Sequence, residues 1–328
     1  MSDTQNPSEG FYGLGIAPSL LDVLARLKYV TPTPIQHKAI PIAVQGQDVI
    51  GIAQTGTGKT LAFSIPMLMR IAATKGKGLV ILPTRELALQ VEETLQKIGK
   101  QAGLRTAVLI GGASMHNQIA NIKKNPHVIV ATPGRLNDHL EQKTVDLSKV
   151  SVLVLDEADR MLDMGFAPQI NRVLRHVPKE RQTMLFSATM PPEISKMAAS
   201  YMATPVRVEI ARAGTASERV EQELFVVEKS DKIRLLERLL GEYHGTVLVF
   251  SRTKHGATKI ARALKKMNFT CAEIHSNKSL NQRKEALEGF KSGRYRVLVA
   301  TDIAARGIDV TGIEVVINFD LPDQAEDY

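Results

Sequence analysis

The chain has no tryptophan and only one cysteine in 328 residues, and aromatic residues make up 5% of it. A single cysteine excludes an intramolecular disulfide framework and suits a reducing compartment. Cys271 opens an apolar run over 271–274, so it reads as a small core residue rather than a nucleophile. So few aromatics speak against a base-stacking platform of the single-strand-binding type. No stretch approaches the roughly 18 apolar residues of a membrane span. Residues 1–10 are polar and carry acids where a signal peptide would carry bases before a hydrophobic segment. Long polar tracts are also missing, and a hydrophobic content of 44% indicates a folded chain. These absences together predict a soluble, cytoplasmic, globular protein.

What is present is charge and periodicity. A formal net charge of +8 favours an anionic partner, and nucleic acid is the obvious candidate. No basic tail supplies that charge, so the fold must place the binding residues, and contact should be backbone-directed and tolerant of sequence. Apolar runs at 48–52, 78–82, 107–110, 128–131, 152–155, 183–187 and 207–210 read as strands. Between them lie segments such as 86–102 and 115–124 with apolar residues at helical spacing. That alternation predicts a parallel sheet covered by helices on both faces. Residues 211–218 turn small and polar, which reads as a linker. The pattern then restarts, with strands expected at 222–227, 246–251, 271–276, 296–300 and 314–320. The fold class is therefore α/β, with two tandem domains over 1–210 and 219–328.

Two segments carry chemistry. Ala53-Gln54-Thr55-Gly56-Thr57-Gly58-Lys59-Thr60 joins an apolar run to a helix start, the pattern of a phosphate-binding loop. Its glycines let backbone N–H groups approach a polyphosphate, and the helix that follows points its positive end at the anion. Lys59 is placed to reach the terminal phosphates and the Thr60 hydroxyl to bind Mg²⁺. Further on, Val154-Leu155-Asp156-Glu157-Ala158-Asp159 ends a buried strand in adjacent carboxylates. Asp156 is placed to hold the Mg²⁺ shell through water, and Glu157 to orient and deprotonate an attacking water. The loop alone would arise by chance in roughly a few per cent of chains this long. Paired with such a strand it predicts hydrolysis of a nucleoside triphosphate.

Ligands of parallel sheets gather at the carboxyl ends of the strands. Those ends read Pro83-Thr84-Arg85, Gly111-Gly112, Thr132-Pro133-Gly134-Arg135 and Ser187-Ala188-Thr189 in the first domain. In the second they read Ser251-Arg252-Thr253, Thr301-Asp302 and Ala305-Arg306-Gly307-Ile308-Asp309. Small hydroxyls, glycines and arginines along one edge are what contact with a phosphate backbone requires.

On these motifs the chain resembles the DEAD-box family of ATP-dependent RNA helicases from Phe11 to Tyr328, and within it a bacterial member of the RhlE type. The resemblance implies two RecA-like domains that close over ATP and single-stranded RNA. It implies that Gln36, in Thr33-Pro34-Ile35-Gln36, hydrogen-bonds the adenine edge and that Phe11 stacks on the ring. Thr55, Gly56, Thr57, Gly58, Lys59 and Thr60 would hold the phosphates, and Asp309 would lie near the ribose. Thr84, Arg85, Gly112, Thr132, Arg135, Arg252 and Thr301 match positions that face RNA. Ser187 and Thr189 match the motif linking hydrolysis to strand separation, and Asp159 is assigned to the same coupling. Duplexes would be opened locally, without sequence specificity.

Two departures accompany the match. The family's Gln-x-x-Arg reads Leu280-Asn281-Gln282-Arg283, and a mild effect on domain closure is expected. The sequence given reaches Tyr328 before the position where relatives continue into His-Arg-x-Gly-Arg-x-x-Arg, a source of arginine fingers. Such fingers are worth about 10³–10⁵ in rate, so the alternative reading is an ATP- and RNA-binding module with little turnover and a marginal second domain. A third reading, another P-loop NTPase such as a DNA motor or transporter ATPase, lacks the adenine motif and the Asp-Glu-Ala-Asp spelling. His127, His176 and His275 have no metal-ligand spacing and read as structural, with a minor RNA contact open to His275. Arg160 and 161–166 read as helix and packing with a possible coupling role, and the scattered methionines as gap-fillers.

Overall fold

Two sheets, each made only of parallel pairings, organise the chain. The computed structural model describes residues 10–210, 221–301, 310 and 312–321. Contacts divide the chain into two units, Met1–Ala213 and Gly214–Tyr328. The first contains strands β1 (Val49–Ile52), β2 (Lys77–Ile81), β3 (Thr106–Leu109), β4 (Val128–Ala131), β5 (Val150–Leu155), β6 (Gln182–Ser187) and β7 (Val206–Glu209). Their order across the sheet is β3-β4-β2-β5-β6-β1-β7.

The second unit contains β8 (Val247–Ser251), β9 (Cys271–Ile274), β10 (Val297–Thr301) and β11 (Val315–Asn318), in the order β11-β8-β10-β9. A parallel pair cannot be joined by a tight turn, and the crossovers within the first sheet, with those from β8 to β9 and β9 to β10 in the second, each carry a helix. The reason for the apolar runs is then plain. β1, β4 and all but one residue of β5 are buried on both faces, which is what helices on both sides of a sheet produce. In β8, Val247 and Val249 enter one core while Leu248 enters the other, following the period of two. Cys271 lies in the first of those cores, and burial raises its thiol pKa.

One expected strand is absent. Residues 222–227 form no strand, and Leu224 and Val226 are 83% and 98% exposed. Apolar residues become a strand only where a ladder partner and a covering layer exist, and no described strand pairs with this segment. The linker at 211–218 lies outside the described residues. Among the described residues, no helix is long and apolar enough to cross a membrane.

Candidate functional site

The phosphate loop joins β1 to the helix Lys59–Thr74. Gly58 has φ +90°, a conformation that L side chains rarely adopt. A Cβ there would also come within 2.4 Å of Gln36 Nε2, so glycine is required twice over. Gln36 is buried against the loop: Nε2 donates to the Gly58 carbonyl at 3.0 Å, and Oε1 accepts from Thr33 N–H at 2.9 Å. The second bond closes the N-terminus of the helix Pro34–Val44. Lys59 is buried, its ammonium donating to the Ala53 carbonyl at 3.0 Å, while Thr60 is half-buried. Thr57 Oγ1 donates to the Gln54 carbonyl at 2.7 Å and braces the turn. Phe11 is 4% exposed, so its ring is part of the core.

The acids follow β5, one strand removed from β1 through β6. Asp156 is buried, and burial pushes its carboxyl up to about 6; the Lys59 charge opposes that rise and Glu157 adds to it. Its Oδ1 accepts the Glu157 N–H at 3.0 Å. Glu157 sits at φ +53°, ψ +50°, a conformation costing a non-glycine residue about 1 kcal/mol or more. That turn sets its carboxylate between two donors. Arg160 reaches Oε2 at 2.9 Å, and Thr55 Oγ1 reaches Oε1 at 3.3 Å. The second contact joins the acid to the phosphate loop. The first comes from a residue whose sequence reading was mainly packing, although its spacing of three on a helix could have revealed it.

Asp159 faces the end of β6. Its Oδ2 accepts from Ala188 N–H at 3.1 Å, Thr189 N–H at 2.9 Å and Thr189 Oγ1 at 2.9 Å. The Asp159 N–H donates to Ser187 Oγ at 3.2 Å. The three residues assigned to coupling are thus one hydrogen-bonded cluster. It begins two residues beyond Glu157.

Thr84, Arg85, Gly112, Thr132 and Arg135 lie beyond the carboxyl ends of β2, β3 and β4, which are adjacent in the sheet. Thr84 caps the helix Arg85–Gly99 by accepting the Leu87 N–H at 3.4 Å. The Arg85 guanidinium lies against Gly112, where a Cβ would come within 2.4 Å of it, and Gly112 has φ +77°. Arg135 donates to the Ala113 carbonyl at 2.9 Å and pairs with Asp138 at 3.3 Å. A support that sequence reasoning missed lies below: buried His139 bridges Thr144 Oγ1 at 2.7 Å and Gln118 Oε1 at 3.1 Å. Gln118 in turn donates to the Ile110 carbonyl at 2.9 Å, just before the two glycines. Neither residue stood in any motif, so no local signal marked them.

In the second unit, Arg252 follows β8 and donates from its backbone to Asp320 Oδ2 at 3.3 Å and from its guanidinium to the Leu321 carbonyl at 3.1 Å. Thr301 closes the neighbouring strand β10. Asp309 and Arg306 lie outside the described residues.

Comparison with known proteins matches this layout. A model described as DEAD/DEAH box helicase matches residues 33–197, and one described as helicase conserved C-terminal domain matches 231–328. The ATP-dependent rRNA helicase RRP3 of Eremothecium gossypii is 42% identical over 336 residues, covering 100% of this chain and 69% of that protein. RRP3 of Debaryomyces hansenii is 40% identical over 324 residues, covering 98% of this chain and 68% of that protein. Among solved structures, S. cerevisiae Dbp5 bound to RNA and ADP BeF3 superposes with a TM-score of 0.87 at 32% identity, over 97% of this chain and 82% of that one. Prp28 from Chaetomium thermophilum bound to ADP gives a TM-score of 0.58 at 36% identity, over 100% and 81%. These relatives are eukaryotic and lend no support to a bacterial, RhlE-type assignment. With matches over 33–197 and 231–328, the chain belongs to the DEAD/DEAH box helicase family.

Proposed function

We propose that this chain works as an ATP-dependent RNA helicase, in which RNA-stimulated ATP hydrolysis drives local opening of short duplexes. The observation that supports this best is the position of Glu157-Ala158-Asp159 between two groups. Glu157 is bonded to Thr55 of the phosphate loop, and Asp159 to Ser187, Ala188 and Thr189 at the neighbouring strand end. A change at the phosphates therefore has a short covalent route to the coupling cluster.

In this reading the loop N–H groups and Lys59 hold the phosphates, and Glu157 takes a proton from the attacking water. Gln36 selects adenine, retaining one N–H and one lone pair beyond its two bonds for that task, whereas the buried Phe11 ring would have to be uncovered before it could stack on the base. The oxygen donors Thr60 and Asp156 fit Mg²⁺, which would supply charge neutralisation at the phosphates. Thr84, Arg85, Gly112, Thr132, Arg135, Arg252 and Thr301 contact the RNA backbone without reading sequence. Asp309 is assigned to the ribose. The domain limits are 1–210 and 219–328, with 211–218 as the linker. A cytoplasmic location is proposed from the lone, buried Cys271.

Displacement of a labelled strand from a short RNA duplex tests the function. Release with ATP, and none with ADP or with Lys59→Ala, is expected. Equal release without nucleotide would overturn the reading.

A further inference from the structure

The second unit carries a cleft of about 520 Å³ in which only His275 reads as open to a minor RNA contact, and no residue of which is assigned to the nucleotide. One wall is His255, Thr258, Lys259 and Arg262, at a spacing that puts them on one face of the helix Lys254–Lys266. Ala257, Ile260, Ala261 and Leu264 of the same helix are buried. The opposite wall follows β9, with Asn277 and Lys278 in the turn and Gln282 in the first turn of the helix Leu280–Lys291. Among the described residues, no carboxylate lines the cleft. Lys259 and Arg262 are exposed, and among the described residues neither has an acidic partner.

His275 also lines the cleft and is 2% exposed. Its Nε2 lies 3.1 Å from Thr258 Oγ1 and 3.1 Å from Glu273 Oε2, and its Nδ1 is buried without a partner. Glu273 stands next to this wall and accepts from Lys278 at 2.6 Å. Burial opposes its ionisation, but hydrogen bonds from Lys278, Thr258 and His275 outweigh it and hold the carboxyl below the usual range. That acid is therefore spent inside the wall and leaves Lys259 and Arg262 uncompensated. A helix face that only solvates the protein mixes its charges. This helix has cations and no acid.

Uncompensated cations beside neutral donors, in a concave space of ligand size, suit clustered phosphates. An extended RNA strand would instead meet cations in a line along the sheet edge, whereas Lys259 and Arg262 stand across a bounded cleft from Lys278. We infer that this cleft binds a compact, multiply phosphorylated small molecule, with Lys259 and Arg262 as its principal cations and Asn277 and Gln282 as neutral donors.

Calorimetric titration with sodium tripolyphosphate tests this, using the full chain with its phosphate loop disabled by Lys59→Ala, at about 150 mM salt. Saturable one-site binding is expected, weakened at least about tenfold by Lys259→Gln with Arg262→Gln. Both side chains are exposed, so the melting temperature should be unchanged. If the double variant melts early, Lys259→Gln alone should still weaken binding about threefold. Absence of saturable binding, or binding untouched by these substitutions, overturns the proposal. So does a third outcome, in which a single-stranded RNA oligomer loses affinity in the double variant and tripolyphosphate never binds; the cleft would then be a backbone contact.

Discussion

Asp159 and Thr189 meet through one oxygen: Oδ2 accepts both the backbone N–H and the hydroxyl of Thr189, each at 2.9 Å. The same oxygen accepts from Ala188, so one carboxylate organises the whole turn after β6. Asp159→Ala would leave two backbone N–H groups partly buried and unpaired, at a cost of about 1–3 kcal/mol each. We predict that this variant still hydrolyses ATP while its duplex displacement per ATP falls severalfold. Measuring both rates on one preparation checks it, and a proportional fall in both would place Asp159 in the chemistry instead.

Glu157→Gln keeps size and hydrogen-bonding capacity while removing the proposed base. Turnover should fall by about 10²-fold or more, with nucleotide affinity within a few-fold of the parent. Fluorescent-nucleotide titration beside steady-state hydrolysis separates the two effects. Turnover at the parent's rate would remove Glu157 from its assigned role.

In the proposed mechanism Arg160 would act on the reaction through Glu157, which it holds at 2.9 Å in a partly shielded pair. Arg160→Gln should lower kcat several-fold with little change in KM, because the acid loses its fixed position before substrate affinity is touched. Arg160→Lys should recover only part, since an ammonium lacks the planar fork. A change confined to KM would mean that the pair serves nucleotide binding.

His139 predicts a pH effect on stability. Burial holds its imidazole below the ordinary 6.5; Arg135 adds to this and Asp138 opposes it. Because the folded value is depressed, the unfolded chain takes up the proton first. Stability present above about pH 6.5 is therefore lost as pH falls through the folded value. Melting temperatures between about pH 7.5 and 5.5 should decline less steeply in His139→Gln than in the parent. Parallel curves would contradict the linkage.

How much of this was legible in the sequence depends on whether the determinant was local. The phosphate loop and Asp156-Glu157 were readable because turn geometry and strand burial leave a contiguous trace, and the runs that became β1 to β11 were readable for the same reason. Residues 222–227 misled because a strand is made by its neighbours, and here Val226 faces solvent. The bond from Thr55 to Glu157 spans 102 positions, and no spacing rule encodes it. Gln36 was placed at the adenine, but its bond to the Gly58 carbonyl depends on how the helix Pro34–Val44 packs on the loop. The His139–Gln118 support carries no motif, and only packing against Ile110 and Thr144 gives it meaning.

The most direct test of the account is steady-state ATP hydrolysis by this chain with and without single-stranded RNA, with Lys59→Ala as the blank. The account predicts a rate that rises severalfold on adding RNA, while the blank stays flat in both conditions. A rate indistinguishable from the blank with RNA present, in protein that still binds ATP, would contradict the claim that these residues form an RNA-stimulated ATPase.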